Sequence, residues 1–245
     1  MRFRVRVATR ILCTGAGSAT ELRLARFGVY ARLAAPAGPP DGVGVDAEAV
    51  LATLRRLWRI PWTGKAKEPF WRLVLDGMPT QARMHFAAGN GGCSCGNTAL
   101  TDRLHHFWDC PPAKAVRTAI VAAAASAGHP LPELDRAHIW LARSPPGMHQ
   151  GVWDVVALAA VGAMDKARRF MWAQRTDPTT HMQSGPILAS MGAMRAVATF
   201  WALLQDFAAI GRIPAGPADG PALGTAHPFL CLPAPGARSV RVRVP

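Results

Sequence analysis

Apolar side chains recur every three or four residues through most of the chain, which is the spacing of amphipathic helices. The first clear stripe begins after Asp46, a residue type that often caps a helix N-terminus, and it stops before Pro61. Its members are Val50, Leu54, Leu57 and Trp58. A shorter helix is expected before it, at about 21–33, between an Arg-rich opening and a Pro/Gly-rich linker. The N-terminal part of the chain is therefore predicted to be helical.

Proline, threonine and glycine set the expected boundaries of the next elements. Pro69 favours a short helix that begins at that residue, because the first helical turn tolerates proline well, and Gly77 is expected to end it. Thr80 is a candidate cap for a third helix over 81–86. A further Ala-rich helix is predicted over about 111–127, where alanine gives high helix propensity.

Two longer helices are predicted in the C-terminal half, over about 151–175 and about 186–211. The expected buried face of the first consists of Trp153, Val156, Ala160, Met164, Ala167 and Met171. The expected buried face of the second consists of Met191, Met194, Ala198, Trp201 and Leu204. The polar stretch between the two helices is short, so we expect them to pack as an antiparallel pair.

The pattern as a whole predicts an all-α fold with irregular termini. Arg and Val alternate at both ends of the chain with the period of a strand, which allows a small two-stranded ribbon, with frayed ends as the favoured alternative. Changes in composition suggest four parts. They are a basic N-terminal segment with a Pro/Gly linker (1–45), a helical domain (46–127), a C-terminal helical pair (128–212) and a Pro/Gly-rich tail (213–245).

The charge of the chain is strongly positive. Its 245 residues contain 28 Lys and Arg against 15 Asp and Glu, which gives a net charge of +13. An excess of this size attracts polyanions, above all nucleic acid. A GC-rich genome would produce the same preference for Arg, together with the abundant Ala, Gly and Pro, but the net charge is independent of that explanation. Each uncharged apolar run falls short of the roughly 18 residues of a spanning helix, so a soluble protein without a membrane role is expected.

Three of the five cysteines fall close together with two histidines, and this cluster carries the clearest chemistry in the chain. Cys93 and Cys95 form a Cys-x-Cys pair, followed after nine residues by His105 and Cys110 as a His-x4-Cys pair. Zinc prefers four thiolate or imidazole donors in a tetrahedron, and structural sites usually supply them as two close pairs. His106 is an alternative nitrogen donor at this stage, and three unconnected thiols beside a histidine remain the simplest other interpretation. The prediction is a small zinc knuckle inserted between helices.

Other uses of these cysteines are less favoured. Disulfide formation fits poorly, because the number of cysteines is odd and the chain lacks a segment resembling a secretory signal, which also favours an intracellular location. Catalysis by the metal fits poorly too, since four protein donors leave no open position for water. The chain also lacks a phosphate-cradling Gly-rich loop and a dinucleotide fingerprint, so an enzyme is not expected.

The segment from Trp71 to Arg83, with the letters WRLVLDGMPTQAR, precedes the motifs Cys-x-Cys-Gly and His-x4-Cys-Pro. This combination resembles the zinc-binding region of reverse transcriptases from non-long-terminal-repeat retrotransposons, over about residues 50–118. The resemblance implies zinc as the cofactor and favours His105 over His106. Its implied ligands are Cys93, Cys95, His105 and Cys110. The family usually has Cys-x2-Cys where this chain has Cys-x-Cys, and the chain lacks the Asp-Asp pair that a polymerase uses to hold two metal ions.

A non-catalytic module that binds nucleic acid is therefore the leading functional expectation. The basic residues expected to contact phosphates are Arg72, Arg83, Arg103, Lys114 and Arg117. Trp108 or Phe107 would stack on a base, although packing over the metal loop is the favoured role for Trp108. The alternative is a helical protein-interaction module in which Met and Trp surfaces contact a protein partner.

Overall fold

The computed structural model describes residues 17–35, 46–80, 92–99, 101–131, 133–177, 179 and 184–210, together with three short strands in the tail. The Arg-rich opening, most of the Pro/Gly linker and the expected helix over 81–86 lie outside these residues. Within them the protein is built from helices, with the Cys/His cluster between helices. The predicted all-α fold class is confirmed.

Helices account for most of the described residues. In chain order they are α1 (Gly17–Ala34), α2 (Ala47–Arg59), α3 (Gly64–Val74), α4 (Pro111–Ser126), α5 (Arg136–Trp140), α6 (Gln150–Thr176) and α7 (Gly185–Ile210). A π-helical turn, His105–Asp109, comes directly before α4. The expected N-cap of α2 is confirmed, because Asp46 Oδ1 accepts a hydrogen bond of 2.8 Å from the backbone N–H of Ala49.

Helix α3 begins five residues earlier than the sequence pattern predicts. Pro69 lies inside the helix, and Gly64 is its first residue. The reason is Thr63, whose hydroxyl accepts a hydrogen bond of 3.3 Å from the N–H of Ala66 and so caps the earlier start. A threonine cap outweighs the preference of proline for the first turn, and the helix loses one internal hydrogen bond at the proline in exchange.

Helix α6 lies at the centre of the fold. Each of its residues from Val152 to Asp165 is buried, because helices pack around it on several sides. The face predicted for this helix is confirmed, since all six of its residues are buried. Asp154 is buried beside Arg56, whose Nε lies 2.8 Å from its carboxylate. Asp165 is likewise buried and paired, in its case with two arginines of the same helix.

Helices α6 and α7 form the expected antiparallel pair, but the buried face predicted for α7 is only partly right, because Leu204 is buried, Met191 and Trp201 are half-buried, and Met194 and Ala198 are exposed. Met194 is 65% exposed. The side that contacts the rest of the protein consists of Leu188, Ala189, Gly192, Ala196, Phe200, Leu204 and Phe207. Small residues decide this orientation: a Cβ on Gly192 would lie 2.5 Å from Met171 Sδ, so the absence of a side chain lets the helices approach. The side of α7 that contains Met194 therefore faces outward.

Helix α7 has the length and composition of a membrane-crossing helix. Its best window has a mean hydropathy of 1.6, and 33% of that window is buried. The core helix of a soluble protein passes the same test. Helix α7 packs along both α6 and α4, which accounts for its apolar inner side.

The tail contains three short strands, β1 (Ile213–Pro214), β2 (Leu230–Cys231) and β3 (Ser239–Val242). They pair antiparallel in the order β1-β3-β2, with Val240 opposite Ile213 and Val242 opposite Leu230. The alternation of Val and Arg near the C-terminus forms a strand, so the frayed end favoured there is wrong, and the strand pairs within the tail rather than in a ribbon between the two termini. The N-terminal alternation lies outside the described residues.

One contiguous core connects the described helices from α1 to α7. Trp140 lies at a junction in it: the ring stacks on Tyr30 with centroids 5.6 Å apart, and its Nε1–H donates to the carbonyl of Phe107 at 3.3 Å. The hydroxyl of Tyr30 donates a hydrogen bond of 2.6 Å to the backbone carbonyl of Trp140. The core thereby holds the π-helical turn that begins with the predicted ligand His105 and leads directly into Cys110. The proposed division into four domains stays a prediction.

Candidate metal centre

Cys93 and Cys95 lie on a tight turn. The N–H of Cys93 donates to the carbonyl of Asn97 at 2.8 Å, and the N–H of Gly96 donates to the carbonyl of Cys93 at 3.0 Å. Gly96 has φ +97°, a left-handed conformation that glycine adopts without steric cost. These bonds aim both sulfurs of the Cys-x-Cys pair toward the same point.

His105 and Cys110 are brought together by the π-helical turn. The N–H of Cys110 donates to the carbonyl of His105 at 2.7 Å, so five residues complete the turn. In an α-helix two residues five apart point about 140° away from each other, given 3.6 residues per turn. The wider turn rotates Cys110 back toward the side of His105. Asp102 Oδ1 supports its start by accepting from the N–H of His105 at 2.9 Å.

Four side chains converge as the sequence pattern predicted. The three sulfurs and the His105 nitrogen all lie within 4.8 Å of one another, somewhat wider than an ideal site. Cys93 Sγ is 3.8 Å from Cys110 Sγ, and Cys95 Sγ is 3.5 Å from His105 Nε2. A tetrahedron with metal–sulfur bonds of about 2.3 Å and a metal–nitrogen bond of about 2.0–2.1 Å has edges of roughly 3.8 Å between sulfurs and roughly 3.6 Å from sulfur to nitrogen. The donor set therefore fits a four-coordinate metal ion.

The two histidines have different positions. His105 directs Nε2 toward Cys95, while its Nδ1 lies 3.2 Å from the side-chain amide of Asn97, which orients the ring. His106 is buried, with Nε2 3.3 Å from the hydroxyl of Thr101 and Nδ1 3.9 Å from Cys93 Sγ. Burial, with the nearby charge of Arg168, lowers the pKa of His106 to about 3, so this ring is neutral. The geometry selects His105 for the four-membered set.

The electrostatics of the cluster favour a bound cation. Hydrogen bonds from Cys110 and Cys93 lower the pKa of Cys95, whereas bonding to Cys93 and Cys95 raises the pKa of Cys110. Burial lowers the pKa of His105, but Cys93 and Cys95 raise it by more than burial lowers it. The net result is a pKa raised to about 9. Without a metal the cluster thus shares its protons and avoids three adjacent negative charges. A divalent cation would compensate those charges and allow all three thiolates to form.

The metal loop, residues 92–99, packs against the helical pair α6 and α7. Met171 of α6 contacts the buried Cys93 and Cys110, and Arg175 Nη1 donates to the carbonyl of Gly92 at 2.9 Å. A Cβ on Gly185, the first residue of α7, would overlap the backbone of Gly96, so the two backbones are in direct contact. Sequence spacing carries no signal for these contacts, because they join segments far apart in the chain.

The five basic residues predicted to contact phosphates have unequal positions. The prediction that Arg103 contacts phosphates is wrong, because the residue is 7% exposed. Its guanidinium donates to the carbonyls of Leu73 and Val74 at 3.1 and 3.3 Å. These hydrogen bonds cap the C-terminal carbonyls of α3, so the guanidinium is not directed at a ligand. Arg72 pairs with Glu68 one turn earlier, and Lys114 is exposed on α4. Arg83 lies outside the described residues.

The two aromatic candidates for base stacking are engaged in packing. Phe107 is fully buried in the core, so its predicted alternative role is wrong. The guanidinium of Arg117 lies 3.7 Å above the ring of Trp108 and donates to the carbonyl of that residue at 2.6 Å. Trp108 therefore has a packing role, as favoured, but its partners are Arg117 and the helical core.

Comparison of the chain with models of protein families, with curated proteins and with solved structures found no match. The family resemblance therefore stays an expectation from the sequence motifs.

Proposed function

We propose that the protein is a non-catalytic zinc-binding module of a retroelement reverse-transcriptase-like protein, and that it binds nucleic acid through a basic surface. The observation that carries the proposal is the convergence of Cys93, Cys95, His105 and Cys110 within 4.8 Å. The net charge of +13 and a pI near 11.1 support the binding of nucleic acid, which is a polyanion.

Zinc suits this donor set better than other common ions. Thiolate ligands exclude the hard cations magnesium and calcium, which prefer oxygen, and a tetrahedral set of sulfur and nitrogen is typical of zinc. Four protein donors would complete the coordination shell, so the ion would have a structural role. Cys93 and Cys95 would then be joined to His105 and Cys110. The metal would thereby fix a loop whose described residues, 92–99 and 101–104, make few backbone hydrogen bonds.

The retroelement assignment is supported by the sequence motifs that lead into and include the metal ligands. The chain lacks the adjacent aspartates of a polymerase, which supports a binding role rather than a catalytic one. Binding of nucleic acid follows from the charge, since phosphates bound by Lys and Arg release their condensed counterions.

A salt titration tests the nucleic-acid proposal. Affinity for a labelled oligonucleotide, measured by fluorescence anisotropy, is expected to fall steeply between about 50 and 200 mM salt, with a logarithmic slope of about −0.7 per phosphate contact for a single strand. Protein treated with a chelator serves as the control for the metal. The proposal fails if the protein does not bind at low salt, or if its affinity is insensitive to salt.

The exposed side of α7 favours a second candidate, a helical protein-interaction module. Ile187 and Met194 lie seven residues apart on this side and are 53% and 65% exposed. Residues with this spacing share one helix face, as an apolar docking surface would require. Binding to a protein partner through this face would respond little to salt, which separates it from the first candidate.

A further inference from the structure

A large aromatic side chain is exposed near the C-terminal end of α6. Trp172 is 41% exposed, although the adjacent Met171 is buried against the metal loop. Residues of a helix that are three or four apart are surface neighbours. Arg168 and Arg169 therefore lie one turn before Trp172, and Arg175 lies one turn after it. The aromatic ring is flanked by arginines on both sides along the helix.

The charge of this region is only partly compensated. Arg168 and Arg169 share a single buried carboxylate, Asp165, at 2.9 and 2.7 Å. Arg175 donates to the carbonyl of Gly92, a neutral group, so that contact orients the guanidinium without cancelling its charge. Lys166 is exposed one turn from Arg169. Four cations on this stretch thus stand against two carboxylates, those of Asp165 within the helix and of Asp177 directly after it, which leaves a net positive charge around the ring.

We infer that Trp172, Arg169 and Arg175 form a binding surface for single-stranded nucleic acid. In this arrangement Trp172 stacks on an unpaired base, and the two arginines contact the phosphates on either side of it. The inference rests on the proposed function and assigns it to a surface that differs from the residues expected from the sequence. Stacking on an exposed ring requires a base that is not already stacked within a duplex, so a single strand fits and a duplex does not.

The metal centre gives this surface its support. Met171 packs on Cys93 and Cys110, and Arg175 is held by the carbonyl of Gly92, directly before the first metal ligand. A metal that orders the loop would therefore orient Arg175 and the adjoining turn of α6. Loss of the metal is expected to weaken binding at this surface without removing Trp172 from it.

Variants at Trp172 test the inference. Binding of a fluorescein-labelled single-stranded oligonucleotide is compared in the full-length wild type, Trp172→Ala, Trp172→Phe and Ile187→Ala. The last is a matched control, an exposed apolar residue of α7 without charged residues three or four positions away. We expect Trp172→Ala to weaken binding roughly 5- to 150-fold, the range for loss of one base–aromatic stack, and Ile187→Ala to leave it unchanged.

Two further readouts separate stacking from a general effect on folding. Trp172→Phe is expected to keep most of the affinity but to lose the part of the tryptophan fluorescence quenching that the oligonucleotide causes in the wild type. Arg169→Gln is expected to reduce the logarithmic salt slope by about 0.7, the value for one phosphate contact with a single strand. Circular dichroism checks that each variant keeps the helical content of the wild type.

The outcomes distinguish this surface from the proposed function. Steep, salt-sensitive binding by the wild type, with no difference between Trp172→Ala and Ile187→Ala, overturns the surface and leaves the function standing. Equal affinity for a duplex of the same length, independent of Trp172, also overturns it. Absence of binding by the wild type at low salt removes both proposals.

Discussion

Replacement of Cys110 by serine is expected to abolish metal binding and to release the loop that contains Cys93 and Cys95. The Cys110 sulfur is buried and lies 3.8 Å from Cys93 Sγ, which is the length of a sulfur–sulfur edge in the expected donor tetrahedron. Serine keeps the size of the side chain but removes the thiolate. Metal content is therefore expected to fall from about one ion per chain to none, since structural zinc needs its deprotonated ligands.

The consequence for folding is expected to be local. Structural zinc contributes roughly 10–16 kcal/mol of apparent binding free energy in small zinc-finger peptides. Here the central part of α6 packs chiefly against α7 and α3, neither of which contains a predicted metal ligand. Hydrogen exchange should thus lose its protection over 92–99 and 101–110, while residues Val152–Asp165 keep theirs. Cys231→Ser, a cysteine far from the cluster in the chain, is the control, and a uniform loss of helicity would contradict a locally acting site.

Trp140→Ala is expected to lower the free energy of unfolding by about 3–5 kcal/mol, because it removes a large, completely buried ring from the core. The ring stacks on Tyr30 of α1 and donates to the carbonyl of Phe107 in the π-helical turn. The substitution thus leaves a cavity and removes the hydrogen-bond partner of a buried carbonyl, two costs that add. Guanidinium chloride unfolding followed by circular dichroism measures the change.

Two comparisons show whether the effect comes from burial. Trp140→Phe keeps an aromatic ring against Tyr30 but loses the indole N–H, so it should cost less than the alanine variant. Trp172→Ala removes a ring that is 41% exposed and is therefore expected to lower the free energy of unfolding by clearly less than Trp140→Ala does. An equal loss in Trp140→Ala and Trp172→Ala would contradict the position of Trp140 in the core.

The metal ligands were predictable because cysteine and histidine are uncommon, and their local spacing limits how they can meet. The π-helical turn at His105–Asp109 was not predictable, since the pattern of apolar residues does not distinguish a turn closed by five residues from one closed by four. That turn places Cys110 beside the other ligands. The resemblance of the motifs favoured His105 over His106, and the geometry supports that choice, because the His105 nitrogen belongs to the set of donor atoms that lie within 4.8 Å of one another.

Helix positions were predictable from apolar spacing, but the packed face of α7 was not. Met194 and Trp201 are the larger apolar residues, whereas close contact with α6 depends on Gly192 and Ala196, whose small size carries no hydrophobic signal. The burial of Arg103 was likewise not predictable from the sequence. Its partners are carbonyls at the end of α3, about thirty residues earlier in the chain, so its burial follows only from the assembled fold.

X-ray absorption spectroscopy at the zinc edge of the purified protein tests the metal centre most directly. The arrangement of Cys93, Cys95, His105 and Cys110 predicts one zinc ion per chain with three sulfur neighbours at about 2.3 Å and one nitrogen at about 2.0–2.1 Å. Purified protein without stoichiometric metal, or a first shell dominated by oxygen, would contradict the tetrahedral Cys3His site.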